Sequence, residues 1–225
     1  MAEGLKFLSR TPKLRLASDA AIVVAAALFL PAWAAVSAGV FVYLHPSLGT
    51  PRLAASYLIA LAILVSLAGD LSPWIALLVA WPLFTLLLGI KRLVILEERA
   101  YPIVFIALAT ATSLLYASGG IGVILYAIAV YLLTREGICV VEPGERKVSV
   151  ALAAVVAGVV LQVAWIAHYL SYDALYLSDL LATVWVMAAY LLLSGLRKSV
   201  TPRVVLTAIS VAVTTFVLTA LSPLW

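Results

Sequence analysis

Eight long apolar runs, broken by short polar stretches, constrain this chain more than any other feature. They lie at about 19–44, 52–69, 72–90, 101–117, 118–134, 148–168, 177–195 and 203–222. An α-helix needs about 20 apolar residues to cross the hydrocarbon core of a bilayer, and these runs are close to that length. The chain is 66% hydrophobic and only 11% charged, with a mean hydropathy of +1.20. A soluble domain is about half apolar and about a quarter charged. An amphipathic stripe is not required where every face of a helix meets lipid or another helix. The predicted fold is an all-α polytopic integral membrane protein, a bundle of about eight (seven to eight) transmembrane helices with short loops. A basic N-terminal tail, 1–18, precedes a single transmembrane domain, 19–225.

The breaks are made of turn residues. "LHPSLGTPR" (44–52), "GDLSP" (69–73), "EPGER" (142–146) and "SVTPR" (199–203) all carry proline or glycine. Pro31 and Pro82 fall inside runs and should kink them, because each removes a backbone donor and crowds the preceding turn. The 19–44 run, with Pro31 in its middle, reads either as one span or as a re-entrant segment. Lys and Arg concentrate in the loops 91–100, 135–147 and 196–203. Two spans separate each loop from the next, so all three fit the cytoplasmic side of a cell membrane under the positive-inside rule. The basic tail breaks that rule, since three spans separate Lys6, Arg10, Lys13 and Arg15 from Lys91.

Net charge is +4. The basic residues are dispersed over separate loops rather than gathered in a patch, which points to membrane anchoring and away from nucleic acid. The expected partner is the lipid bilayer. A lone cysteine, Cys139, and two histidines offer no disulfide and no ordinary metal or haem ligand set, so neither metal nor cofactor is expected. Asn is absent and Gln162 is the single glutamine, a thermophile-like depletion that a membrane composition also favours.

Few residues could carry chemistry. Asp19 and Asp70 stand at predicted helix ends, where carboxylates complement the dipole. Asp173 and Asp179 read as capping and solvating residues around the turn before the seventh span, and His45 as a loop histidine. Two features remain. "YASGGIG" (116–122) places Ser118 beside Gly119, Gly120 and Gly122 in an outward turn. His168 ends the sixth span about 20 residues after Lys147, roughly one membrane thickness at 1.5 Å per residue. Topology therefore brings Ser118 and His168 to the same face, as a nucleophile and its base require. The two spans around Ser118 occupy only residues 101–134, which predicts a recessed turn with Ser118 at a helix start. Amides freed there could hold an oxyanion. The same residues also suit helix packing and N-capping.

These motifs resemble those of the rhomboid intramembrane serine proteases, over about residues 52–195. That family sets its nucleophile in Gly-x-Ser-Gly at the start of a helix, which "YASGGIG" resembles with Ser118. Its base is a histidine two helices later, which "VAWIAH" (163–168) resembles with His168. The resemblance implies a Ser/His dyad acting on transmembrane segments of other proteins, with Gly119, Gly120 and Gly122 in the oxyanion turn. The chain departs from the pattern in several places, and "GDLSP" (69–73) stands where the family has a large outer loop. Tyr116 stands where the family has glycine, the second core helix lacks the His-x-x-x-Asn pair, and no glycines follow His168. An alternative register puts Gly122 in the serine's place and implies an inactive relative. Apart from the resemblance, a non-enzymatic transporter, channel or subunit of a membrane complex fits the same composition. Oligomeric state is left open.

Overall fold

The computed structural model describes residues 12–44, 53–68, 72–92, 97–141, 146–169 and 173–196, with 206 and 210 as isolated positions. The described residues form eight α-helices: α1 (Pro12–Phe29), α2 (Ala32–Leu44), α3 (Ala54–Leu67), α4 (Pro73–Arg92), α5 (Glu97–Ala117), α6 (Val123–Val141), α7 (Arg146–His168) and α8 (Ala174–Leu196). Four stretches are long and apolar enough to cross a membrane: Ala100–Ala117, Val123–Val140, Lys147–His168 and Ala174–Gly195. The chain divides into two compact units, Met1–Val104 and Phe105–Trp225, with the boundary inside α5.

In the first unit α1 packs on α2 and α4, and α3 packs between α2 and α4. Pro31 decides where α1 stops. Lacking an amide hydrogen and crowding the preceding turn, it interrupts the hydrogen-bond ladder here, although α4 carries Pro82 within its length. The last bond before it runs from Leu30 N to Ala26 O, and Ala34 N and Ala35 N restart the ladder on Pro31 O. The 19–44 run is thus two helices, where one span had been a reading of the sequence. Helices α2 and α3 are antiparallel, because Tyr43 meets Tyr57 (ring centroids 4.9 Å) while Gly39 faces Leu61 further along. Gly39 is required there, since a Cβ would lie 2.7 Å from Leu61 Cδ2. The close approach lets the Tyr57 hydroxyl donate to Gly39 O at 2.9 Å. Tyr57 also stands edge-on to Phe84 of α4. Helix α4 runs through Pro82, and Trp81 Nε1 donates to Ala17 O of α1 at 2.9 Å.

In the second unit α7 packs against α6 and α8, and α6 also touches α8. The inward face of α7 is built from small residues, with Ala153, Ala157, Ala164 and Ala167 alternating with Val156 and Val160. Small side chains allow helices to approach closely, as is common inside membranes. Trp185 of α8 is fully buried and sits among three partners. Its indole donates to Thr134 Oγ1 at 2.8 Å, and its ring is edge-on to Phe105 of α5 and Tyr126 of α6.

Helices outrun the hydropathy that predicted them. The span read as 118–134 starts at Val123 and ends at Val141, taking Arg135 and Glu136 into α6. Arg and Glu are good helix formers, and the helix stops only short of Pro143, whose predecessor is steered away from the α region. Helices α5 and α6 are therefore 21 and 19 residues long. The shortness that predicted a recessed turn disappears. The basic loops contract too: α4 reaches Arg92, α5 begins at Glu97 and α7 at Arg146. Helix α8 starts at Ala174 rather than 177, and α1 begins at Pro12, inside the stretch read as tail. The span read at 203–222 lies outside the described residues, apart from 206 and 210.

Candidate functional site

The turn after α5 is a helix cap, and its hydrogen bonds can be followed atom by atom. Ser118 N closes the last regular turn on Leu114 O at 2.9 Å. Gly119 N then bonds Tyr116 O at 3.0 Å and Gly120 N bonds Leu115 O at 2.8 Å. This pair of bonds is the Schellman arrangement, which places a left-handed residue immediately after the C-cap. Gly119 fills that position with φ +78°, a conformation that costs other L-residues about 1–2 kcal/mol. At Gly120 space is tight, because a Cβ would lie 3.2 Å from both Leu115 Cδ2 and Leu115 O. Gly122 has nothing within 4 Å of a built Cβ, so packing does not demand a glycine there.

Ser118 is consequently the C-cap of α5. Sequence reading had set it at a helix start, but α6 begins at Val123. Its Oγ is exposed and donates back to Leu115 O at 3.2 Å. The amides of Ser118, Gly119, Gly120 and Ile121 all point at carbonyls of α5. An oxyanion would have to displace those bonds.

His168 is the last residue of α7, as its place in the sequence predicts. Its side chain is exposed, and its ring meets Tyr169 edge-on with centroids 6.0 Å apart. Helices α5 and α6 run antiparallel: Tyr116 stacks on Tyr126 beside the turn, while Phe105, three turns earlier, reaches Trp185 on the far side of Tyr126. Helices α6 and α7 are antiparallel in turn, with Cys139 near the end of one touching Ser149 near the start of the other. The Ser118 turn and His168 thus occupy the same end of this unit. Among the described residues no hydrogen bond joins them.

Several polar groups deeper in the unit escaped the sequence reading. Ser113 and Tyr126 share a buried hydroxyl contact of 3.1 Å, and Thr112 Oγ1 bonds Leu108 O at 2.6 Å. Nothing in an isolated Ser or Thr within an apolar run distinguishes a paired hydroxyl from a packing one. The matching aromatic donors, Tyr126 and Trp185, were the available signal. At the neighbouring turn Asp173 behaves as read, accepting a bond from Ala174 N at 2.7 Å. Among the described residues no group of three His, Cys, Asp or Glu side chains could hold a metal ion. Compared with known protein families, curated proteins and solved structures, the chain matches none.

Proposed function

We propose that this chain is a non-enzymatic, multi-pass protein of the cell membrane, acting as a helical subunit of a membrane assembly. The observation that carries the proposal is the closed cap at Ser118. Its hydroxyl and the amides around it complete the end of α5, so the turn is used by the fold itself. Buried polar groups of the second unit are likewise engaged in pairs, Ser113 with Tyr126 and Thr134 with Trp185. Large apolar side chains instead cover the outside, among them Ile124, Leu125, Val155 and Ile166. Such a surface suits lipid and neighbouring helices.

The experiment is activity-based labelling of the purified protein with a fluorophosphonate. No labelling is expected, for the parent or for Ser118→Ala. A second reading, an intramembrane serine hydrolase of the rhomboid type, has one observation in its favour: Ser118 and His168 are both exposed at one end of the same unit. In that reading Ser118 Oγ attacks a peptide carbonyl of a membrane-spanning substrate and passes its proton to the His168 ring. Labelling that vanishes in both Ser118→Ala and His168→Ala would establish it and overturn the first.

A further inference from the structure

The outward face of α7 carries a feature that lipid cannot satisfy. Gln162 is the only side-chain amide among the Asn and Gln positions of this chain. It is exposed, and among the described residues it has no hydrogen-bond partner. It lies six residues before the end of the apolar stretch Lys147–His168, about 9 Å inside it at 1.5 Å per residue. An amide facing hydrocarbon without a partner is costly, and polar side chains at that depth commonly bond across to another helix.

The surface beside it is shaped for such a helix. Ala154 and Gly158 precede Gln162 at intervals of four, and all three are exposed. A Cβ on Gly158 would meet nothing within 4 Å, so no described element explains the glycine. Exposed Val155, Val159 and Ile166 flank the line. Residues four apart lie along one helix face, and small residues at that spacing let two backbones come close.

The chemistry of the amide selects the occupant. A primary amide offers both N–H donors and a carbonyl acceptor, so it is complementary to a copy of itself. In two parallel copies related by a two-fold axis, Gln162 meets Gln162 at equal depth without further arrangement, as an isologous contact requires. We propose that two copies of this chain associate in the bilayer through the α7 face of Ala154, Gly158 and Gln162. The inference rests on reading the chain as a membrane-embedded subunit, and names the first partner in that assembly.

The test uses the full chain in liposomes, with Cys139→Ser as background. Ala154→Cys, oxidised with copper phenanthroline, should give a covalent dimer, whereas Leu125→Cys, on an exposed position of α6, should not. Adding Gln162→Leu should weaken association about tenfold, the size of one interhelical side-chain hydrogen bond in a membrane. Gly158→Ile should abolish the cross-link, and Gln162→Asn should retain it. Far-UV circular dichroism and thermal unfolding of each variant should match the parent, since neither side chain is used among the described residues of the monomer. Cross-linking no greater than in Leu125→Cys, or undiminished in Gln162→Leu, overturns the contact. Cross-linking to a foreign helix alone also overturns it. Release of the chain from membranes by alkaline carbonate would instead defeat the membrane reading beneath it, a result separate from an embedded monomer.

Discussion

Ser118, Gly119 and Gly120 show how three small residues can be read in opposite directions. A serine followed by two glycines suits a helix start with free amides, and equally a helix end with bonded ones. Backbone sign settles the matter: Gly119 at φ +78° belongs to the end of α5. Gly119→Ala should therefore destabilise the second unit by about 1 kcal/mol, the usual cost of a side chain in the left-handed region. Gly122→Ala, with open space around it, should be near neutral or stabilising. Reversible unfolding in mixed micelles would measure both. Deeper in, Trp185→Phe removes the indole donor and leaves the Thr134 hydroxyl buried without it. Losing that bond together with ring volume should cost about 2–4 kcal/mol, more than Tyr126→Phe at about 1 kcal/mol. Equal losses in the same assay would contradict the central place given to Trp185.

At the scale of elements, the contact between α2 and α3 depends on one absent side chain. Gly39→Ala drives a methyl group into Leu61, which is 2% exposed and has little room to retreat. Overpacking of this kind costs about 1–3 kcal/mol. Leu61→Ala should relieve it, so the double variant should be more stable than the sum of the two single losses, a coupling that a double-mutant cycle reads directly. Elements also show which parts of the fold were legible beforehand. His168 ends α7 where the hydropathy ends, because Lys147 marks the opposite side and the run between has one membrane thickness. Pro31 was visible as a break, but whether it bends one helix or separates two depends on the packing of α2 against α3, which a single run does not encode. The far end of α6 was misplaced because hydropathy measures solvent, whereas Arg135 and Glu136 are good helix formers in either solvent. Of the candidate site, the shared end of Ser118 and His168 followed from span counting. The closure of the Ser118 turn did not, since it is made of main-chain bonds that any residue can form.

For the whole molecule, the second unit has two chemically different ends. Lys147 is exposed at one, while Trp165, His168 and Tyr169 are exposed about a membrane thickness away. Exposed aromatic side chains at one boundary suit an interfacial belt, and a basic side chain at the other suits the positive-inside rule. Lys147→Cys and Ser118→Cys, each in the Cys139→Ser background, should react with an impermeant maleimide from opposite sides of sealed vesicles. With the basic ends cytoplasmic, Lys147→Cys labels only in inside-out vesicles. Labelling of both positions from the same side would contradict the bundle.

The setting of Trp185 gives this protein its own optical probe. Trp33, Trp74, Trp81 and Trp165 are exposed, whereas Trp185 lies in the dry interior of the second unit with its indole held by a hydroxyl. The Trp185 component, isolated as the difference from the Trp185→Phe spectrum, should therefore be narrow, blue-shifted and deaf to quenchers in water and to brominated acyl chains alike. Its decay on heating or denaturant reports the loosening of α5, α6 and α8 around a single chromophore, without any label.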